Sequence, residues 1–276
     1  MVQAPFRFKR TGLFCCGGYG NIYPVMAEKK TKAKAATIKK TVLAKLSIPT
    51  PEQLLEAGVH FGHLKRRWYP KMAPYIYTEK EGVHVFDLYK TREKLTEAAK
   101  FLQKTVSEGG KVVFVGTKKQ AQEIVGREAS RAGAFYLNKR WIGGLFTNFD
   151  SVKKNIEKME DLSKKIKDNE LSHYTKKEQL LAARELAKFE SDIGGLKGMR
   201  ELPQALVLAS VRSEEIAAAE ARHRKIPIVG IADTNADPSK VNYPIPGNDD
   251  ASASIEIIIK TLADAVASGK RQTANS

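Results

Sequence analysis

The chain reads as an α/β protein, a doubly wound parallel sheet interrupted by one long helical hairpin. Three observations predict this. The apolar runs KVVFVG (111–116), ALVLAS (205–210) and PIVGIA (227–232) have the pattern of strands buried on both faces. Segments of helical period follow them, so strand and helix alternate, as parallel βαβ units require. Residues 149–193 then break the alternation with two helical patterns in succession.

The elements follow in order from about residue 50. PTPEQLLEAGVHFG holds a short helix from Pro51 to Ala57, with proline at its start and Gly58 at its end. VHVFDL (83–88) reads as a strand. TREKLTEAAKFLQKTVSEGG reads as a helix with Thr91 as N-cap, Leu95, Ala98, Ala99 and Leu102 on one face, and Gly109 and Gly110 as its stop. After strand 111–116 come a helix over 119–131 and strand AFYLN (134–138). In the hairpin, Val152, Ile156, Met159 and Ile166 recur at spacings of three and four or their sums. Thr175 and Glu178 form a capping box ahead of Leu180, Leu181, Leu186 and Phe189. Ten basic and nine acidic residues spread over 150–190 predict a solvated outer face. Strand 205–210, helix 213–224, strand 227–232, the short segment NYPIP (242–246) and helix 251–268 complete the pattern, the last closing before Gly269.

Charge narrows the class of partner. The 276 residues carry 47 Lys and Arg against 31 Asp and Glu, a net +16. That surplus favours a polyanion, either nucleic acid or an acidic membrane surface. No apolar run reaches the ~18 residues of a membrane span, so no membrane partner is expected. The only cysteines, Cys15 and Cys16, are adjacent, which excludes a disulfide framework and fits a reducing compartment. Residues 1–48 show no sustained periodicity and read as a basic, disordered extension, with ten basic residues and one acid in the first fifty. Met26 opens a stretch resembling an ordinary protein start, so residues 1–25 read as an over-extended gene start. An organellar presequence fits less well, because this segment contains no serine. Residues 271–276 read as a short tail.

No catalytic constellation emerges. VGTKKQAQE (115–123) is a strand–loop–helix able to meet a phosphate, yet it lacks both the dinucleotide and the triphosphate fingerprint. His60 and His63 are spaced to chelate, but a metal needs further ligands; Asp233, ending its strand, is the acid that could approach His63. Packing or hydrogen bonding is the favoured role for the histidines. Ser210 and Ser213 lack a nucleophile elbow. Asp233 and Asp237 in GIADTNADP suit a phosphohydrolase, or equally a capped turn, and the turn reading is preferred. No cofactor, metal or small-molecule substrate is expected.

The basic–aromatic segments carry more. LKRRWYPKM and NKRWIGGLFTNF place Lys65, Arg66, Arg67, Tyr69 and Lys71, then Asn138, Lys139, Arg140 and Asn148, beside tryptophans. Cations neutralise phosphates, aromatics stack on bases, and amides bond phosphate oxygens and the 2′-OH. Paired glycines, Gly143 and Gly144, permit close backbone approach. Lys118 and Lys119 add charge at a strand end. Trp68 and Trp141 themselves read as core anchors. HFGH is expected to shape the turn while KRRWY faces RNA.

LLEAGVHFGHLKRRWYPKMAPYIY, VVFVGTKKQAQE, NKRWIGGLFTNF, YTKKEQLLAARE, LPQALVLAS, IPIVGIADTNADP and YPIPGNDD, in that order, resemble the bacterial small-subunit ribosomal protein S-two family over residues 50–270. The resemblance implies a flavodoxin-like core (49–148 and 194–270) with an inserted coiled-coil hairpin (149–193). It implies a non-enzymatic component of the small subunit of cytoplasmic ribosomes, binding small-subunit rRNA near the head–body junction and supporting the docking of ribosomal protein S-one beside other small-subunit proteins. A zinc site is associated with the family. Here Ser210, Val211, Arg212 and Ser213 stand where some members keep an acid, and Arg212 brings positive charge to that position. The competing classes are an enzyme on the same scaffold using Asp233 and Asp237, and a free-standing RNA-binding regulator.

The extension lacks the apolar periodicity needed to bury surface on the core. Deleting residues 1–25 is expected to leave the thermal unfolding midpoint almost unchanged. A drop of several degrees would show that the segment packs on the domain.

Overall fold

The computed structural model describes residues 46–168 and 173–274. The expectations placed on residues 1–45 and on the last two residues lie outside them. Five parallel strands, β4 (Val112–Val115), β5 (Phe135–Leu137), β6 (Ala205–Leu208), β7 (Ile228–Ala232) and β8 (Tyr243–Pro246), lie in the order β5-β4-β6-β7-β8. Counted along the chain this is 2-1-3-4-5, the flavodoxin-like order. The strand order reverses between β4 and β6, and the crevice outside their carboxyl ends is where such a sheet takes its ligands.

Every residue of β4, β6 and β7 is buried, because helices cover both faces. The side chains alternate accordingly. Val112 and Phe114 join Val207, Val229, Ile231 and Ile245 in one core, against α2 (Leu88–Ser107), α3 (Lys119–Ala132) and α7 (Ser252–Ala274). Val113 and Val115 join Leu206, Leu208 and Ile228 in the other, against α6 (Glu215–His223) and the ends of α4 (Phe149–Lys167) and α5 (Lys176–Ile193) nearest the sheet. Burying side chains of this size contributes about 1.5–3 kcal/mol each, before chain entropy is counted.

Several elements differ from the sequence reading. Helix α2 starts at Leu88, since Asp87 caps it by accepting from the Tyr89 and Lys90 amides. Thr91, expected as the cap, is buried within the helix and donates its hydroxyl to the Pro246 carbonyl at 2.8 Å. Behind α1 (Pro51–Glu56) the HFGH stretch enters a strand, β1 (Phe61–Leu64). It forms an antiparallel sheet in the order β1-β3-β2 with β2 (Ile76–Lys80) and β3 (Val83–Phe86). Glu81 and Gly82, both at positive φ, make the two-residue turn joining β2 to β3. NYPIP becomes β8, an edge strand, where Pro244 and Pro246 are tolerated.

Helix α4 buries Val152, Ile156 and Met159. The Thr175–Glu178 capping box opens α5 as expected, and Leu186 and Phe189 pack inward. Leu180 and Leu181 instead lie half exposed. Among the described residues no helix is long and apolar enough to cross a membrane.

Helix α7 also runs through Gly269 rather than stopping at it. A Cβ at Gly269 would lie 2.7 Å from the Gln103 carbonyl oxygen and 3.0 Å from the Val106 Cβ. The glycine lets α2 and α7 approach closely. Gly269→Ala is therefore expected to destabilise the protein by about 1–3 kcal/mol by overpacking, against a gain of about 1 kcal/mol in helix propensity. The urea midpoint checks this; an increased midpoint would show that the helices yield.

Candidate functional site

The carboxyl ends of the five strands form one edge, where the loops bearing most of the sequence-predicted residues meet. At the switch point a side chain of the protein fills the position where this fold usually holds an anion. Glu214, just before α6, is 2% exposed. Its Oε1 accepts from the Thr117 amide at 2.9 Å and the Thr117 hydroxyl at 3.0 Å, and its Oε2 accepts from the Ser210 amide at 2.7 Å. Donors that could cradle a phosphate are therefore already engaged. Burial pushes the Glu214 carboxyl up to about 7, against the pull of these donors.

Beside it, Asp249 and Asp233 are each 1% exposed. Ser210 donates its hydroxyl to Asp249 Oδ2 at 2.6 Å, and Lys118 Nζ lies 2.7 Å from Asp249 Oδ1 and 2.9 Å from Asp250 Oδ1. Burial, then the charge of Asp233, pushes Asp249 above its ordinary value. His63 sits 3.0 Å through Nδ1 from Asp233 Oδ1 and 3.4 Å through Nε2 from Asp250 Oδ2. The Asp233 hydrogen bond holds the imidazole above its ordinary value, against its partial burial. The approach of Asp233 to His63 read from the sequence is therefore met.

His63, Asp233 and Asp249 offer one nitrogen and two oxygens within 4.8 Å of one another. Such donors suit one side of a zinc ion, but the Lys118 ammonium already occupies the Asp249 carboxylate, so an ion would have to displace that pair. Arg212, expected to bring charge to this position, donates instead to the Asn235 carbonyl at 2.9 Å. The cation inside the cluster is Lys118. Asp237, the other acid of the enzyme reading, caps the turn Pro238–Lys240 by accepting from the Ser239 amide.

The histidine stretch anchors the basic segment behind it. The His63 amide donates to the Thr234 hydroxyl at 2.8 Å and the Tyr69 amide to the Thr234 carbonyl at 2.6 Å. Gly62 is required there, since a Cβ would lie 2.6 Å from Thr234 Cγ2. Tyr69 donates its hydroxyl to Asp237 at 3.2 Å, Lys71 donates to Ser239 at 2.9 Å, and Lys65 pairs with Glu79 at 2.7 Å. Arg66 and Arg67, between these anchors, are exposed and have no carboxylate partner among the described residues. Trp68, expected in the core, is 37% exposed and lies over the His84 ring at 5.3 Å.

The second basic segment starts at the end of β5. Asn138 donates to the Gln122 carbonyl at 3.2 Å, binding the strand end to α3. Lys139 and Arg140 are exposed without a carboxylate partner among the described residues, as is Lys119 at the start of α3. Trp141 is half-buried, packed edge-on to Phe146. Asn148 is exposed at the start of α4 and accepts from the Ser151 hydroxyl. The sequence reading missed Glu214, Glu220 and Arg224, whose partners, apart from the Ser210 amide four residues before Glu214, are remote along the chain. The one legible signal was their position on or at the ends of the helix that follows a strand at the switch point.

These features define a class: a flavodoxin-like scaffold whose ligand crevice is closed from within and whose carboxyl edge presents exposed cations that have no carboxylate partner among the described residues. The sequence profile described as Ribosomal protein S2 matches residues 54–269. The small ribosomal subunit protein uS2 of Petrotoga mobilis is 49% identical over 225 residues, covering 82% of this chain and 78% of the relative. The chain belongs to the ribosomal protein S2 family, and is a structural ribosomal protein of the small subunit. This membership overturns the enzyme alternative built on Asp233 and Asp237.

Glu214 gives a titration that can be checked. An acid whose pKa is higher folded than unfolded stabilises most where both states hold the proton, here below about pH 4.5, its ordinary value, and that contribution is lost as pH rises through about 7. The displacement corresponds to about 3 kcal/mol. Gln at this position mimics the protonated acid and does not titrate. Denaturant unfolding of Glu214→Gln and parent is therefore expected to show the parent losing up to about 3 kcal/mol relative to the variant between pH 4.5 and 8. A difference that stays flat with pH would mean that Glu214 titrates normally.

Proposed function

We propose that the protein binds small-subunit rRNA through the carboxyl edge of its sheet, as a stoichiometric component of the subunit near the head–body junction. The supporting observation is the division of charge at this edge. Glu214, Asp233 and Asp249 are turned inward, whereas Arg66, Arg67, Lys119, Lys139 and Arg140 stand exposed without carboxylate partners among the described residues. The exposed guanidinium groups of Arg66 and Arg67, next to Trp68 in the chain, and the exposed cations of the other loops suit phosphates and unstacked bases. Of the remaining sequence-predicted contacts, Lys65, Tyr69, Lys71, Lys118 and Asn138 bond within the protein and shape the loops, and Asn148 stays available.

Other small-subunit proteins are the second class of partner, ribosomal protein S-one among them. Tyr77 and Tyr89 are 77% and 75% exposed, and open aromatic rings of this kind support protein contacts. Residence on bacterial-type cytoplasmic ribosomes completes the reading. Co-sedimentation with small subunits at about one copy each is the expected outcome, and recovery at a clearly different ratio would overturn the stoichiometric reading.

Small subunits depleted of this protein provide the binding partner. Replacing both Arg66 and Arg67 by Ala is expected to weaken rebinding and to flatten the slope of log K against log[salt] by roughly 1.4–1.8, at about 0.7–0.9 per phosphate contact. Lys100→Ala, on the exposed side of α2, is the charge control and should leave the slope alone. An unchanged slope in the double variant would show that the Arg66–Arg67 pair does not meet phosphate.

A further inference from the structure

The loop between β5 and α4 contains no regular secondary structure apart from turns, yet it carries Lys139 and Arg140. One carboxylate on α6 gathers its donors. Glu220 Oε1 accepts from the Trp141 indole nitrogen at 3.0 Å and from the Gly144 amide at 2.8 Å, and Oε2 accepts from the Phe146 amide at 3.1 Å. The Thr147 amide and hydroxyl approach Oε2 at 3.4 and 3.5 Å. One helical turn on, Arg224 donates from Nε to the Phe146 carbonyl at 2.8 Å and from Nη2 to the Thr147 carbonyl at 2.6 Å. Amides and carbonyls of the same residues are thus held from one face of α6 by an i, i+4 pair of opposite charge. Gly144, at φ +87°, supplies the left-handed turn that brings its amide round to the carboxylate.

Charge and geometry agree. Burial works against the charged form of Glu220, but the Trp141 indole and the three amides outweigh it and hold the carboxyl below its ordinary value. The negative charge is consumed inside the loop, while Lys139 and Arg140, next to Trp141 in the chain, stay exposed without a carboxylate partner among the described residues.

We propose that Glu220, backed by Arg224, is the positioning residue of the RNA-facing loop: it touches no RNA and fixes the backbone so that Lys139 and Arg140 meet phosphates together. Ordering two long cations before binding lowers the entropy lost on contact. The inference rests on the edge-binding reading above and adds to it the group that organises the second basic segment.

A double-mutant cycle on small subunits depleted of this protein separates positioning from simple stability. The Lys139→Ala, Arg140→Ala pair is expected to lower affinity and flatten the salt slope by roughly 1.4–1.8. Glu220→Gln keeps one acceptor but turns an NH2 group towards the loop's donors. It is expected to reproduce most of that loss and flattening, measured well below its own unfolding midpoint. Added to the Lys139/Arg140 variant, Glu220→Gln should cost nothing further. Arg224→Lys, which keeps the charge and loses the fork, runs the same cycle if Glu220→Gln does not fold. Parent-like binding by these α6 variants, or losses that add in full, would overturn the positioning role and leave the edge-binding reading standing. If the Lys139/Arg140 variant itself binds as the parent does, this loop is not an RNA contact and both readings of it fall.

Discussion

The carboxyl edge of the sheet depends on two glutamates carried by one short helical segment. Glu214 satisfies the amides of Thr117 and Ser210, which lead out of β4 and β6, and Glu220 satisfies the loop that leaves β5. Backbone donors out of contact with water need partners, and an orphaned one costs about 1–3 kcal/mol. In many sheets of this topology a bound ligand supplies part of that hydrogen bonding. Here the side chains do so permanently, and the cost is the burial of Glu214, visible in its upward displacement to about 7.

Filling the crevice from within turns a ligand-binding architecture into a scaffold. The same fold can carry quite different functions, because function resides in sites placed on it. At this edge Asp233 and Asp249 hold His63 and Lys118, so their charges are spent inside the protein. Of the basic segments, Lys65 meets Glu79 and Lys71 meets Asp237, while Arg66, Arg67, Lys139 and Arg140 stay exposed without a carboxylate partner among the described residues. The His63 and Tyr69 amides anchor the first segment on Thr234, and Arg66 and Arg67 lie between these anchors. A net charge of +16 on the whole chain would steer any polyanion, but this local separation of sign gives it a direction.

Legibility in the sequence followed the range of the interactions. The buried-type runs of β4, β6 and β7 were readable because a strand covered on both faces must be apolar throughout. The Thr175–Glu178 box was readable because its partners are three residues apart. Thr91 misled, because Asp87 four residues earlier offered a carboxylate to the first amides of α2 and freed the threonine for Pro246, 155 residues away. Gly269 looked like a helix stop and serves instead as the point where α2 and α7 touch. Trp68 looked like a core anchor, yet it covers His84 from the surface side. For Gly269 and Trp68 the deciding neighbour lay outside the local window, whereas for Thr91 it was Asp87, a local cap that the sequence already offered.

Sequence by itself determined the alternation of strands and helices, the paired helices after β5, the family resemblance and the two basic segments, since periodicity, capping and motif order are local properties of the chain. Tertiary structure alone decided which cations face outward and which are consumed. Lys118 and Lys119 are neighbours with the same chemistry, but Lys118 meets Asp249 and Asp250 while Lys119 is exposed. Glu220 likewise meets Trp141 across 79 residues of chain. Coulombic and hydrogen-bonding partners are set by distance in space, and the fold brings together groups whose separation along the chain carries no trace of it.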